Sequence, residues 1–204
     1  MSIDGQNNQS LVMKKTFTEK FYKKLLNNGT RFYIKNREIL QFIQRIYKVD
    51  LFILLGVIGI ETNFGLNCGS YDVFNTFYTL ITKSPQKRIW ATHQLAEFLK
   101  YTYARSIKPH TIKGSYAGAF GYGQFLPSSF NTYATTASKG IPMHNSWPDT
   151  LASIANYLIN HGYAKNEQAI RISLYSYNRN NIYVDAVIKL AKLIKNKIAG
   201  FDTL

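Results

Sequence analysis

Leu51-Phe-Ile-Leu-Leu-Gly-Val-Ile-Gly-Ile-Glu-Thr-Asn-Phe-Gly65 is the stretch on which the fold of this chain turns. Apolar residues and glycines run unbroken from Leu51 to Ile60, and a carboxylate, Glu61, follows at once. The run is about half the length that a membrane-spanning helix needs, so it predicts a buried core helix. Asp50 stands where an N-cap belongs, with a carboxylate able to accept a first-turn N–H. A carboxyl at the end of so apolar a segment is poorly solvated. That disfavours the charged form and raises its pKa, as a general acid at neutral pH requires. An isolated Glu after such a run more often just leaves the helix into water, so the choice rests on the rest of the chain.

Helical periodicity continues on both sides. From Arg37 to Lys48 the residues Ile39, Leu40, Phe42, Ile43, Ile46 and Tyr47 predict one apolar stripe. Leu95, Phe98, Leu99 and Tyr103 predict another on a helix from Trp90 to Tyr103. A helix from about Asp149 to Asn160 uses Leu151, Ile154, Ala155 and Leu158, with His161-Gly162 as its stop. The last helix, about Tyr183 to Ile198, carries Val184, Val187, Ile188, Ala191 and Ile194. Lys113 to Gly123 and Ala134 to Trp147 read as loops, and no alternating strand pattern lasts beyond a few residues. The expected fold class is all-α (mainly α), with at most a minimal β element. Residues 1–12 read as a disordered tail and residues 13–204 as a single domain.

Composition narrows the partner without choosing it. The formal charge of +14 over 204 residues favours a polyanion: nucleic acid, an anionic membrane surface or bacterial cell wall. Basic residues are scattered along the chain and no nucleic-acid motif is present, so no nucleic acid is expected as a partner. Single Cys68 excludes an internal disulfide and a multi-cysteine zinc site, and with no base beside it the thiol reads as structural. No transmembrane segment and no secretory signal is visible.

Only 11 acidic residues are present. Glycoside hydrolysis usually needs two carboxylates within roughly 5–10 Å. The candidates to partner Glu61 are Asp72, Glu97, Asp149, Glu167 and Asp185, none in a comparable setting; Asp72 reads as a loop cap. A one-carboxylate mechanism must draw its nucleophile from the substrate. The second feature is Lys113-Gly-Ser-Tyr-Ala-Gly-Ala-Phe-Gly-Tyr-Gly-Gln-Phe-Leu-Pro-Ser-Ser129. Its glycines let a polymer approach the backbone. Ser115 and Gln124 can hydrogen-bond sugar hydroxyl or acetamido groups, and Tyr116, Phe120 and Tyr122 offer ring faces to pyranoses. It lacks the Gly-Lys-Ser/Thr ending of a phosphate-binding loop. The third is Tyr175-Ser-Tyr-Asn-Arg-Asn-Asn-Ile-Tyr183, whose aromatic spacing alone more often means core packing.

Taken together and in this order, the Glu61-Thr-Asn-Phe-Gly motif, the glycine-rich block and Tyr177-Asn178 with Tyr183 resemble the lytic murein transglycosylase B family, over about residues 35 to 195. The resemblance implies a lysozyme-like helical domain with glycine-rich cleft loops. It implies that Glu61 is the single catalytic acid/base, cleaving the bond between N-acetylmuramic acid and N-acetylglucosamine in peptidoglycan glycan strands and leaving 1,6-anhydromuramic ends. Ser115 matches a serine that contacts the muramoyl group, Gln124 and Tyr157 match residues lining the cleft, and Tyr177, Asn178 and Tyr183 match residues that orient Glu61 and the sugar. Lys87 and Arg88 stand where relatives carry a paired arginine that contacts the peptide. Some relatives hold calcium in a loop that here reads Ala134-Thr-Thr-Ala-Ser-Lys-Gly-Ile-Pro-Met-His144, without the needed carboxylates, so no metal and no cofactor is expected. A monomer is expected, in the periplasm or cell envelope where the substrate lies, as a mature or truncated form. A hydrolytic muramidase of the same fold and a non-catalytic wall-binding protein are the alternatives.

Overall fold

The computed structural model describes residues 17–137 and 140–200. They form mainly helices: α1 (Glu19–Tyr47), α2 (Leu51–Thr62), α3 (Val73–Lys83), α4 (Arg88–Tyr103), α5 (Pro127–Tyr133), α6 (Trp147–Asn160), α7 (Glu167–Tyr177) and α8 (Asn181–Ala199). A two-stranded antiparallel sheet, β1 (Tyr71–Asp72) with β2 (Lys113–Gly114), is the β element, with Tyr71 opposite Gly114. The mainly α class read from periodicity is what the chain adopts. The tail expected over residues 1–12 lies outside the described residues. The chain divides into two units, residues 1–64 with 157–204, and residues 65–156.

In the first unit, α2 is the centre. Asp50 caps it, its carboxylate accepting the Phe52 N–H at 2.8 Å, and the Tyr163 hydroxyl accepts the Asp50 N–H at 2.9 Å. Leu51, Ile53, Leu54, Leu55, Val57 and Ile58 are buried, so α2 has no polar face and packs against α1 and α8. The contact with α8 is close because position 56 lacks a side chain: a Cβ there would stand 2.6 Å from the Val187 carbonyl oxygen. From α8, Val184, Val187, Ala191 and Ile194 are buried as its periodicity predicts, with Ile188 at the edge.

Two corrections concern α1. It begins at Glu19, capped by Thr18, rather than at Arg37. Asn27-Asn-Gly-Thr30 is rich in turn-forming residues, yet the helix runs through it. Gly29 is where Ile194 and Phe64 press on the helix, so tertiary packing outweighs local propensity. The stripe is also narrower than predicted: Leu40 and Ile43 are buried, whereas Phe42 and Ile46 are exposed. A kink at Asn36, whose side-chain amide donates to the Phe32 carbonyl, turns the helix and resets which residues face inward.

In the second unit α4 packs on α3 and α5. Its buried face is Ala91, Gln94, Phe98, Tyr101 and Thr102. Leu99 and Tyr103, expected on the core stripe, are exposed, because two polar residues, Gln94 and Thr102, take inward places. They are satisfied there: the Gln94 amide donates to Ser128 Oγ at 2.8 Å and Thr102 Oγ1 to the Leu99 carbonyl. Asp72 caps α3, accepting the Asn75 N–H, as read. The aromatic core here is Phe77, Phe98, Tyr101, Phe120 and Phe130.

Gly56→Ala is expected to lower the unfolding free energy by about 1–3 kcal/mol, because the rigid Val187 backbone cannot yield to the added methyl. Urea denaturation checks this; wild-type stability would mean that α8 moves away without cost.

Candidate active site

Glu61 sits in the last turn of α2, and the end of that helix is tied down by several contacts. Asn63 takes the left-handed conformation (φ 50°) and its N–H donates to the Gly59 carbonyl at 3.0 Å. The Asn28 side-chain amide donates to Asn63 Oδ1 at 2.9 Å, and Phe64 packs on Phe32. The Glu61 carboxyl is thus held in an apolar frame. Desolvation pushes its pKa up to about 7, and the neighbouring Tyr183 hydroxyl acts in the opposite direction.

Tyrosines surround it. Tyr183, in the first turn of α8, is buried, and its hydroxyl has no hydrogen-bond partner of good geometry. It nonetheless lies near enough to Glu61 to favour the carboxylate. Burial and the Glu61 charge hold the Tyr183 and Tyr177 hydroxyls protonated well above the usual tyrosine range. Tyr157 donates its hydroxyl to the Ser176 carbonyl at 2.7 Å, stacks on His161 at 3.9 Å and meets Tyr177 edge-on at 5.0 Å. Asn178 ends α7, its N–H donating to the Leu174 carbonyl, and Asn180 then caps α8 by accepting from Ile182 and Tyr183. The Tyr177-to-Tyr183 stretch is therefore a tight helix-to-helix turn that delivers two tyrosines to Glu61. Asn180 was not singled out from the sequence; its place just before an apolar period is the signal that identifies it.

Glu61, Tyr157, Tyr177, Asn178 and Tyr183 belong to the first unit; Lys87, Arg88, Ser115, Tyr116 and Gln124 belong to the second. There the glycine-rich block is a loop braced from within. Ser115 Oγ accepts the Ala117 and Ala119 N–H groups at 3.3 and 3.1 Å, leaving its own O–H as donor. The Gln124 amide donates to the Cys68 and Gly121 carbonyls at 3.1 and 2.9 Å, leaving its carbonyl oxygen as acceptor. Tyr116 is 73% exposed, so its ring is open to a ligand. Phe120 is not: it is 1% exposed and packed on Phe98, Tyr101 and Phe130, which corrects its reading as a sugar-facing ring. Tyr122 stacks on Trp147 at 4.1 Å. Lys87 and Arg88 are exposed at the start of α4, Arg88 donating Nε to the Ile81 carbonyl at 3.0 Å.

Four of the five other acids named above have structural partners. Asp72 faces His110 and Lys113, Glu97 binds Lys100 and Asn131, and Asp185 pairs with Arg171 at 2.7 Å. Glu167 is exposed in the first turn of α7. Asp149 is buried, accepting from Thr136 Oγ1 (2.9 Å), the Ala137 N–H (3.3 Å) and the Met143 N–H (3.0 Å). It ties Thr136, Ala137 and Met143 to the start of α6. Its oxygens are engaged by protein donors, and among the described residues no group of three or more His, Cys, Asp or Glu is placed to hold a metal.

The profile described as "Transglycosylase SLT domain" matches residues 2–174. The chain belongs to the transglycosylase SLT-domain family. It is 34% identical over 145 residues to membrane-bound lytic murein transglycosylase B of Escherichia coli (strain K12), a match covering 70% of this chain and 40% of that protein's length. Soluble lytic transglycosylase SltB1 from Pseudomonas aeruginosa superposes with a TM-score of 0.82 and 25% identity, over 90% of this chain and 81% of that one. SltB3 from Pseudomonas aeruginosa, solved with NAG-NAM-pentapeptide, shares the fold with a TM-score of 0.74 at 22% identity, over 88% and 68% of the two chains.

The raised pKa carries a stability consequence of definite sign. Below the ordinary carboxyl pKa of 4.5 Glu61 is protonated in both folded and unfolded chains; above about 7 it is ionised in both, and the folded state bears the desolvation cost. Glu61→Gln is therefore expected to raise the melting temperature at pH 8 and to lose that advantage by pH 4. A pH series of melts checks it, and a gain independent of pH would count against a desolvated carboxyl.

Proposed function

We propose that this protein is a peptidoglycan lytic transglycosylase in which Glu61 is the sole acid/base. Membership of the SLT-domain family supports the general activity. The observation that carries the residue assignment is a single carboxyl pushed up to about pKa 7 by desolvation, beside Tyr177 and Tyr183. A group titrating near the working pH is competent in both directions of proton transfer.

Protonated Glu61 donates its proton to the glycosidic oxygen as the bond from muramic acid C1 breaks. N-acetylglucosamine leaves with a new 4-hydroxyl. The carboxylate then takes the proton of the muramic acid 6-hydroxyl as that oxygen bonds to C1, closing the 1,6-anhydro ring. Glu61 is protonated again, and no water is consumed. Tyr177 and Tyr183, whose hydroxyls stay protonated and neutral, orient the carboxyl, and the Tyr183 hydroxyl favours its ionised form. Ser115 and Gln124 are assigned to the sugar through the O–H and carbonyl oxygen that the loop leaves free. Tyr157 supports Tyr177, and Lys87 and Arg88 are assigned to the acidic peptide. The substrate places the protein in the cell envelope. Among the described residues no helix is long and apolar enough to cross a membrane.

Mass spectrometry of the products from purified sacculi tests the proposal. Anhydromuropeptides from wild type, falling by about 10²–10⁴-fold in Glu61→Gln, are expected. Reducing ends would indicate water as nucleophile, and release by Glu61→Gln at the wild-type rate would remove Glu61 from the mechanism. Activity should fall as pH rises through about 7, where the acid form is lost. Tyr183→Phe should move that fall to higher pH, since the hydroxyl favours the carboxylate; an unmoved profile would mean that Tyr183 does not act on Glu61.

A further inference from the structure

At the opposite end of α2 from Glu61, roughly 16 Å away along the helix, the first unit has a second concavity of about 260 Å³. Its floor is apolar, from Phe52, Ile53, Ile170 and Ala191, and Lys165, Lys192 and Lys195 stand at its rim. All three lysines are exposed, and none enters an ion pair among the described residues. Lys195 Nζ lies 5.9 Å from the Phe52 ring centre. Two carboxylates complete the rim. Asp50 is committed to its own helix through the Phe52 N–H, whereas Glu167 is exposed and carries no ion pair. The mechanism above uses none of these groups.

We propose that this concavity binds the free carboxyl end of a peptide whose terminal residue is small and aliphatic, the ammonium groups taking the carboxylate and the floor taking the side chain. Charge complementarity is the argument: three unpaired cations around an apolar floor suit an anion attached to a methyl or methylene group. Size agrees. The space is below the roughly 300–1,000 Å³ of sites that enclose a whole small ligand, so it takes one end of a longer molecule. Glu167 is then free to accept from an amine further along the same peptide. If the proposed function holds, the peptide is the stem that hangs from peptidoglycan strands, with an alanine carboxylate at its end and, in many walls, a diamino acid within it. A second grip of this kind would hold one strand's peptides while Glu61 acts on the glycan.

The probe is a synthetic wall stem pentapeptide with a free carboxyl end, titrated into the full chain and followed by amide chemical shifts. Saturable shifts at Ile53, Ile170 and Ala191 are expected. Amidating the peptide end, or making Lys192→Glu with Lys195→Glu, should weaken binding by about tenfold or more, and added salt should weaken it further. Absence of saturable binding, equal affinity for the amidated peptide or the double variant, or shifts confined to Tyr177 and Tyr183 would overturn the proposal. Turnover of peptide-free glycan strands is read in parallel and should be the same in the double variant as in wild type. Failure of both on those strands would count against the role of Glu61, while the peptide titration still decides the second site by itself.

Discussion

The contact between α2 and α8 is the constraint from which the chemistry of the first unit follows. Position 56 has no side chain, so the Val187 backbone comes within reach of α2 and the helix is enclosed by apolar neighbours. Burying a Leu, Ile or Val side chain contributes about 1.5–3 kcal/mol. α2 and α8 bury many such residues, which offsets what the site costs. A carboxyl moved from 4.5 to about 7 costs roughly 3–4 kcal/mol when ionised. The same contact sets Tyr183, in the first turn of α8, beside the last turn of α2. The acid is perturbed because the core is close-packed, and the core is stable enough to carry the perturbed acid.

The second unit handles its polar groups differently. Ser115, Gln124 and Asp149 each direct hydrogen-bonding capacity inward, onto neighbouring backbone. The Ser115 and Gln124 bonds stiffen the glycine-rich loop before any ligand arrives, and a loop already in its working shape loses less entropy on binding. The His144 carbonyl accepts the Tyr122 N–H, and the His144 ring is hydrogen-bonded to the Tyr101 hydroxyl at 2.6 Å. Burial and the nearby Arg105 push His144 down to about 4, so this brace is neutral and stays intact at neutral pH. A carboxylate and a neutral imidazole, both of which can serve as metal ligands, here act as braces.

Amphipathic period was a sound guide where one face of a helix is solvated and the other buried. Leu151, Ile154, Ala155 and Leu158 on α6 are buried where the pattern puts them, as are Val184, Val187 and Ile194 on α8. It failed on α4, where Gln94 and Thr102 turn inward because Ser128 and the Leu99 carbonyl receive them. Phe120 and Tyr116, four residues apart in one glycine-rich loop, have opposite fates: the former is core, the latter open. Composition alone cannot separate them, since both are aromatic and only the loop's path decides which ring the core receives.

By itself, the sequence determined the helical class, the buried helix Leu51–Thr62, its Asp50 cap and the place of Glu61 at its end, because each follows from local order: an apolar run, a capping residue, a carboxyl at the run's end. Only the tertiary structure decided which groups surround that carboxyl. Tyr177 and Tyr183 lie more than a hundred residues further along the chain, and they come near Glu61 through the turn at Asn178–Asn180 and the approach of α8. Local propensity acts over a few residues. Desolvation is the sum over everything that excludes water, and it exists only once distant segments have packed.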